Sequence, residues 1–364
     1  MRSTQVLVYD MAHPEDCSGL ARDLAQVALQ AADIRAVFIK TEGNGLDNDW
    51  SRPLALRALA QHLPVDGGAG VPPMLVASGG CEGMLTPHMT VIATTSDAKA
   101  DATTAADGPA ALAIGSFLSE PLQATELGRE AHSQRTRHAV ERACADAGLA
   151  PKDVVAVHVL SPWMGRDLMA AAPAGSSLVA DGAHASKPAI RSAAALGAAM
   201  ALGEVAPHEI EWNASGPSSS RRATRVAVTA GDTGGRVQVL VLGHARGWSG
   251  PLRVASTQMA DMLDVEAIAT VRRGKLVAAF FKGDPPAGGL LRGARTTMGA
   301  DSDIHAFRHF RAAMSGVFGA ALGTPRVFIG GGAEFQSQPG GGLLTTIYST
   351  EPRDKRPAHQ ETSA

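Results

Sequence analysis

Apolar and polar segments alternate along the chain in an order that occurs three times. An apolar run typical of a buried strand comes first, at residues 34–40, 154–160 and 276–282. A helix rich in small residues and opened by an arginine is predicted next, from Arg52, Arg191 and Arg308. A second apolar run then enters a glycine-rich turn and a further strand, with the turns at residues 76–83, 226–235 and 327–335.

This repetition predicts an α/β protein of three pseudo-symmetric repeat domains around a pseudo-threefold axis, since units of about 100 residues are the size of single domains. The predicted units are 1–100, 110–248 and 252–350, with a polar loop at 96–110 and a disordered tail at 351–364. Three equivalent turns and three arginines would then meet at one central cleft.

The three arginines indicate what such a cleft would bind. One arginine at a helix start is ordinarily a solvated residue, and its charge opposes the helix dipole. The same residue at three matched positions favours contact with an anion or a carbonyl. Because the guanidinium group pairs well with such oxygens, the expected ligand is small, flat, roughly threefold in shape and rich in carbonyls.

Composition excludes several classes of protein. The 364 residues are 45% apolar and 19% charged, which suits a substantial core. The net charge of −2 without a basic block argues against a nucleic-acid partner, and no apolar run has the length of a membrane span. The start, MRSTQVLVYD, reads as a strand and not as a signal peptide. Cys17, Cys81 and Cys144 form no CxxC pair, which indicates free thiols and a cytoplasmic protein.

The first unit carries a pair suited to covalent catalysis. Lys40 ends one apolar run and Ser78 ends the other. A desolvated lysine has a lowered pKa and can act as base to a serine within hydrogen-bond reach. Gly79 and Gly80, which follow the serine, form either an ordinary turn or an oxyanion hole of backbone N–H groups.

The other two units lack one member of this pair. The second unit has Leu160 and Thr229 at the matching positions, and the third has Lys282 and Gly330. Only the first unit therefore holds both an amine and a hydroxyl.

Several distinctive motifs are spread over almost the whole chain. They are KTEGNG (40–45), SGGCEGMLTPH (78–88), DSDI (301–304) and GGGAEFQSQPGGG (330–342). Together they resemble the ring-opening amidohydrolases, the family of cyanuric acid hydrolase and barbiturase. The resemblance implies three similar domains with helices around a β core, a homotetramer, and attack of a lysine-assisted serine on a ring carbonyl.

The resemblance also implies roles for individual residues. It implies substrate contacts from Arg52, Ser78, Gly79, Arg191, Ala230, Lys282, Arg308, Gly330 and Gly331. It further implies a structural magnesium or calcium ion, with no organic cofactor, since a carboxylate with carbonyl oxygens suits a hard cation. The matching positions are Asp284, where the family usually has glutamate, and Ala333, Gln336, Ser337, Gln338 and Gly341.

The chain departs from the family at the catalytic pair, which the family places in the second domain. Leu160 cannot accept a proton, and Thr229 is a bulkier nucleophile than serine. In one hypothesis Lys40 and Ser78 have taken over the chemistry. In another, His158 serves Thr229 from the same strand face, although a single strand histidine is more often structural. In the third, the old pocket hosts a reaction without covalent catalysis.

Other chemically capable residues have simpler interpretations. Cys81 could attack a carbonyl but is expected to be a small buried hydrophobe. His305 and His309 have zinc-ligand spacing but favour a capped helix start after an Asp or Ser. His88 is expected to be structural, and residues 213–225 to be a polar surface loop.

The sequence thus favours a homo-oligomeric hydrolase of a small cyclic amide, imide or ureide, with Ser78 as nucleophile and Lys40 as base, or Thr229 as the alternative nucleophile. Two alternatives stay open on the same scaffold. One is a cyclisation or isomerisation of a natural-product intermediate, and the other is a ligand-binding paralogue without activity.

Overall fold

The computed structural model describes residues 1–46, 48–63, 71–96 and 110–351. The first copy of the repeat forms one sheet. Its strands are β1 (Arg2–Asp10), β2 (Ile34–Thr41), β3 (Met74–Gly79) and β4 (His88–Ser96). They lie in the order β1-β4-β2-β3, and β2 runs parallel to β3 and antiparallel to β4.

The second and third copies repeat this sheet. The strands of the second are β5 (Ala111–Leu118), β6 (Val154–Pro162), β9 (Val226–Gly231) and β10 (Gln238–Ala245). Those of the third are β12 (Leu252–Met259), β13 (Lys275–Gly283), β16 (Phe328–Gly330) and β17 (Gly342–Ser349). Their orders, β5-β10-β6-β9 and β12-β17-β13-β16, match the first sheet strand for strand. The predicted threefold α/β repeat is confirmed.

Short strands complete the structure. Two hairpins are formed by β7 (Glu211–Asn213) with β8 (Gly216–Ser218) and by β14 (Leu290–Leu291) with β15 (Ala294–Arg295). The first hairpin corrects the prediction of an unbroken polar loop at 213–225. β11 (Trp248–Ser249), between the second and third copies, pairs with β1 in the first sheet. The predicted domain boundaries stay a prediction, as the sheets alone do not fix them.

Seven α-helices occur in the part of the chain that the structure describes. They are α1 (Ser18–Ala25), α2 (Ser51–Leu59), α3 (Glu130–Ala147), α4 (Arg166–Ala170), α5 (Ala183–Ala201), α6 (Val265–Val271) and α7 (Ala306–Leu322). The small residues of α5 allow close packing on α3. A side chain at Gly197 would come within 2.2 Å of the carbonyl oxygen of Ser133. None of the described helices is long and apolar enough to cross a membrane.

The prediction that an arginine opens each small-residue helix is wrong for the second copy. Arg52 and Arg308 lie in the first turns of α2 and α7, whereas Arg191 lies in the middle of α5. This helix begins at Ala183 after Gly182 and continues through Pro188. Pro188 misled the prediction, because proline usually marks a helix start and here lies within the helix.

The three sheets meet at a cluster of aromatic rings. Phe38, His158 and Phe280 occupy matching positions on β2, β6 and β13, two residues before Lys40, Leu160 and Lys282. Their ring centroids lie 4.9, 4.9 and 5.3 Å apart, and each pair is inclined at 63°. Edge-to-face contacts of this kind are favourable. The trio marks the pseudo-threefold axis.

His158 departs from the pattern of this aromatic trio. Its Nε2 atom is buried and has no hydrogen-bond partner among the described residues. Burial, with a smaller effect from Lys282, lowers the pKa of His158 to about 4. The imidazole is therefore neutral at physiological pH and acts in the fold as an aromatic ring.

Two sequence predictions fall outside the described residues. The polar loop at 96–110 is described only at Ser96 and Ala110, and the tail only at Glu351. The contacts of His88 confirm the predicted structural role. This residue begins β4, is buried, and its Nδ1 lies 2.8 Å from the carbonyl oxygen of Thr86.

We expect His158→Phe to raise the free energy of unfolding by about 1 kcal/mol, because it removes a buried nitrogen that lacks a partner. The wild type should also lose stability as pH falls from 6.5 to about 4, where the unfolded state binds a proton that the folded His158 does not. The variant should lose less over that range. Urea denaturation at several pH values measures both effects.

Phe280→His is the matched control, since it places a second imidazole in the same ring cluster. It should destabilise the protein by about 1–3 kcal/mol. A destabilised His158→Phe, or a stabilised Phe280→His, would contradict this account of the axis.

Candidate active site

Three pairs of strand positions surround the axis above the aromatic trio. Parallel pairing sets Lys40 opposite Ser78, Leu160 opposite Thr229, and Lys282 opposite Gly330. The equivalence of these pairs, inferred from the sequence, is thus confirmed by strand register. Thr229 and Lys282 line a narrow cavity together with all three rings of the trio. Thr229 of the second copy and Lys282 of the third therefore border the same cavity, and the Lys40 amine reaches the third copy by donating to the carbonyl oxygen of Ile329.

Lys40 and Ser78 form the one complete amine–hydroxyl pair of the three. Lys40 is fully buried, and its Nζ lies 3.3 Å from the Oγ of Ser78. Nζ also donates to the carbonyl oxygens of Gly79 at 3.0 Å and Ile329 at 2.9 Å. Burial, followed by the nearby guanidinium of Arg311, lowers the pKa of Lys40 to about 7. The amine is therefore poised to exchange a proton with the serine near neutral pH.

The third copy keeps the lysine without the hydroxyl. Lys282 is 6% exposed and donates to the carbonyl oxygen of Gly331 at 2.5 Å, as Lys40 does to that of Gly79. Burial, then the charge of Arg191, lowers the pKa of Lys282 to about 7. A β-carbon at Gly330 would lie 3.6 Å from Nζ, an ordinary contact. The glycine thus leaves room beside the amine.

The second copy is apolar where the others carry an amine. Leu160 is 7% exposed, and Thr229 is partly exposed beside it. His158 lies one layer below, within the aromatic trio, with its pKa lowered to about 4. No hydrogen bond joins its ring to Thr229 in the described structure. These surroundings do not favour His158 as the base for Thr229.

A buried aspartate explains the glycines around Ser78. The carboxylate of Asp49 accepts hydrogen bonds from the backbone N–H of Gly45 at 2.7 Å and of Ser51 at 2.9 Å. A β-carbon at Gly79 would come within 1.7 Å of its Oδ2, and one at Gly43 within 2.3 Å of its Oδ1. Glycine is therefore needed at both positions so that Asp49 can pack against the end of β3.

Two arginine–glutamate pairs link neighbouring copies beside the lysines. Arg311 donates to both oxygens of Glu82, at 2.6 and 2.7 Å, and Arg191 donates to both oxygens of Glu334, at 2.5 and 2.6 Å. Glu82 and Glu334 stand at matching positions, four residues after Ser78 and Gly330. Arg311 therefore corresponds to Arg191. The turn of the first copy meets the helix of the third, and the turn of the third meets the helix of the second.

Arg311 and both glutamates were not predicted from the sequence. The predicted residue, Arg308, also reaches Glu82 at 3.3 Å but is much more exposed than Arg311. Arg52 donates to the carbonyl oxygen of Leu46 in its own copy. The glutamates could have been found by comparing the turns position by position. The choice between Arg308 and Arg311 depends on which face of α7 is buried.

Cys81, His305 and His309 keep structural roles. Burial raises the pKa of Cys81 to about 11, which leaves its thiol protonated and a poor nucleophile. His305 caps α7 with its own Nδ1, which accepts from the N–H of Phe307 at 3.3 Å, so the cap is the histidine and not the expected Asp or Ser. The Nε2 of His309 lies 2.9 Å from the Oδ2 of Asp301. Among the described residues no cluster of three or more His, Cys, Asp and Glu side chains could hold a metal.

The residues expected to hold a structural cation are engaged with one another. Each carboxylate oxygen of Asp284 accepts a backbone N–H at 2.7 Å, from Gly332 and Ala333. The carbonyl oxygens of Ala333, Gln338 and Gly341 likewise accept backbone N–H groups. The side-chain oxygen of Gln336 accepts the N–H of Val228 at 2.7 Å, and the hydroxyl of Ser337 is buried without a partner. Each of these oxygens keeps a second lone pair, and the Ser337 hydroxyl is buried without a partner, so the donor set suits a hard cation. Binding of magnesium or calcium stays a prediction.

Comparison with known proteins agrees with the motifs found in the sequence. A family model described as amidohydrolase ring-opening protein matches residues 5–349. A cyanuric acid amidohydrolase from Methylobacterium sp. is 36% identical over 95% of this chain and 97% of its own. A cyclic amide hydrolase from Azorhizobium caulinodans is 34% identical over 93% and 97%.

Two solved structures share the overall fold of this chain. The crystal structure of cyanuric acid hydrolase from A. caulinodans matches with a TM-score of 0.83 at 33% identity, over 96% of this chain and 99% of that chain. A second cyanuric acid hydrolase structure matches with a TM-score of 0.85 at 30% identity, over 96% and 100%. The resemblance noted from the motifs is thereby confirmed, and the chain belongs to the family of ring-opening amidohydrolases.

Proposed function

We propose that the protein hydrolyses a small cyclic amide, imide or ureide, of the cyanurate or barbiturate kind, and that Lys40 and Ser78 carry the chemistry. One observation supports this assignment above the rest: the 3.3 Å contact between the Lys40 amine and the Ser78 hydroxyl. The other two pairs each lack a member. The names of the family relatives, cyanuric acid amidohydrolase and cyclic amide hydrolase, support the substrate class.

The geometry supports a two-step mechanism. Ser78 Oγ attacks a ring carbonyl carbon while its proton passes to Lys40 Nζ, and the carbonyl electrons move onto oxygen. When this intermediate collapses, the ring C–N bond breaks and Lys40 returns the proton to the leaving nitrogen. The open chain then remains on Ser78 as an ester. Water attacks this ester with Lys40 again as base, and Lys40 returns the proton to the Ser78 oxygen as it leaves. This step restores the serine and releases a carboxylic acid, or a carbamic acid where the opened carbonyl lay between two ring nitrogens.

The remaining polar groups would hold the ring and its developing charge. Backbone N–H groups at Gly79, Gly330 and Gly331 are candidates for oxyanion stabilisation, and the amine of Lys282 can donate to another ring oxygen. Arg191 and Arg311 stand beside the glycine-rich turns, where their guanidinium groups can contact carbonyl oxygens. Arg52, Arg308 and Ala230 stay predicted contacts. A homo-oligomer and a cytoplasmic location also stay predictions.

Substitution of the pair separates this proposal from catalysis by Thr229. We expect Ser78→Ala to lower kcat at least about 1000-fold, since it removes the nucleophile, and Lys40→Met to lower it about 100- to 10,000-fold, since it removes the base. Mass spectrometry should follow ring opening across a panel of cyclic imides and ureides that includes cyanuric and barbituric acids. Thermal denaturation of each variant confirms that it folds.

Thr229→Ala is the matched control, because it removes the hydroxyl at the equivalent position of the second copy. Ring opening that survives in Ser78→Ala but is lost in Thr229→Ala would overturn the assignment of the nucleophile. Failure of the wild type to open any ring of the panel would overturn the proposed hydrolysis itself.

The pH dependence follows from the lysine. Lys40 acts as a base only when neutral, and its pKa is lowered to about 7. We therefore expect kcat/KM to rise as pH increases through about 7 and to level off above it. A rate that falls with pH through this range would contradict a lysine base.

Arg311→Gln should move the midpoint of this profile to higher pH, because the guanidinium helps to lower the pKa of Lys40. Arg191→Gln is the control, since the charge of Arg191 acts on Lys282 instead. Equal shifts in the two variants would show that the effect is not local to Lys40. Steady-state kinetics between about pH 5 and 9, roughly two units on either side of the lysine pKa of about 7, measures both midpoints.

A further inference from the structure

The three sides of the central site differ in chemistry although the fold makes them equivalent. A ring with three identical carbonyl sides would be best served by three identical pairs. The chain instead offers an amine with a hydroxyl at Lys40 and Ser78, and an amine alone at Lys282. The remaining side has no amine, because Leu160 replaces it. The site is thus specialised for a ligand without threefold symmetry.

The second side has no amine and carries more alkyl surface than the other two sides. Leu160 presents a branched alkyl group where the equivalent lysines have an amine. Thr229 adds a methyl group next to its hydroxyl, and Ala230 adds another where the first and third copies have Gly79 and Gly331. A carbonyl oxygen facing this side would lose the lysine donor that the equivalent sides provide, and a buried acceptor without a partner is costly.

The other two sides keep their donors. The amine of Lys40 lies beside Ser78, and that of Lys282 is held by the carbonyl oxygen of Gly331 next to Gly330, which has no side chain. Each amine can donate to a ring oxygen. The site therefore provides for two carbonyl sides and one hydrocarbon side.

We propose that the substrate is a cyclic imide or ureide with two carbonyl sides and one saturated carbon side, and that Leu160 and Thr229 select it by receiving the carbon side. The inference rests on the proposed function and narrows its substrate class. Opening occurs at the carbonyl beside Ser78, while the second carbonyl accepts from Lys282. Rings with three carbonyls, such as cyanuric acid, belong to the broader class proposed above but should be poorer substrates, because their third carbonyl would face Leu160.

A comparison of rings tests the selection in the wild-type protein. Dihydrouracil and glutarimide carry two carbonyls and saturated carbon, whereas cyanuric and barbituric acids carry three carbonyls. We expect kcat/KM for the better two-carbonyl ring to exceed that for cyanuric acid at least about tenfold. The Ser78→Ala variant should bind these rings without opening them. Calorimetric titration of this variant should therefore rank the affinities of the rings in the same order as their kcat/KM values in the wild type.

Variants of Leu160 test its role directly. Leu160→Lys should lower the preference for the two-carbonyl ring at least about tenfold, because it restores a donor for a third carbonyl. Leu160→Met is the matched control, because methionine is unbranched and of nearly the length of lysine but carries no charge. This variant should retain the preference for the two-carbonyl ring. If Leu160→Lys fails to fold, as judged by thermal denaturation, Leu160→Gln and the wild-type comparison decide the question.

The outcomes separate the two proposals. If rings are opened but cyanuric acid is opened as well as or better than the two-carbonyl rings, hydrolysis stands and the selection by Leu160 is overturned. The selection is likewise overturned if Leu160→Met loses the preference as fully as Leu160→Lys. If no ring is opened or bound, both proposals fall.

Discussion

The structure depends on the packing of three equivalent strands against one another at the pseudo-threefold axis. Phe38, His158 and Phe280 meet edge to face with nearly equal separations. Since side chains two residues apart project from the same face of a strand, this contact also fixes the layer above it. Lys40, Leu160 and Lys282 are thereby set around a single centre. The fold creates the site before any polar contact is made.

The constraint on shape leaves the chemistry of each side free to change. Strand register keeps the three pairs equivalent, because a slip by one residue would turn every buried side chain outward. Single substitutions within that register cost little as long as the volume is filled. The second copy carries Leu160 where the other two carry an amine, and the third carries Gly330 where the other two carry a hydroxyl. Symmetry is thus retained in the backbone and lost in the site.

Those parts of the structure that depend on local sequence patterns could be predicted from the sequence. The apolar runs, the glycine-rich turns and the pairing of Lys40 with Ser78 followed from periodicity and from comparison of the copies. The sequence did not reveal that Arg191 lies within a long helix, because Pro188 resembles a helix start. Nor did it reveal Arg311, since RHFR offers two arginines and only tertiary packing decides which is buried. Asp49 was missed because its partners are mostly backbone N–H groups, which leave no side-chain pattern.

The arginine–glutamate pairs explain how two lysines can be buried so close to one centre. A buried ammonium without a carboxylate is costly, and both Lys40 and Lys282 bond only to carbonyl oxygens and a hydroxyl. Burial and a neighbouring guanidinium, Arg311 for one and Arg191 for the other, lower the pKa of each amine. Arg311 is buried and the side chain of Arg191 is only 14% exposed, so both guanidinium groups need counter-ions, which Glu82 and Glu334 provide from adjoining copies. The same ion pairs therefore link the copies, and their guanidinium groups add to the larger effect of burial in lowering the pKa of each amine, while the glutamates act in the opposite direction. Assembly of the three copies buries the amines and sets the guanidinium groups beside them, so readiness of the base depends on that assembly.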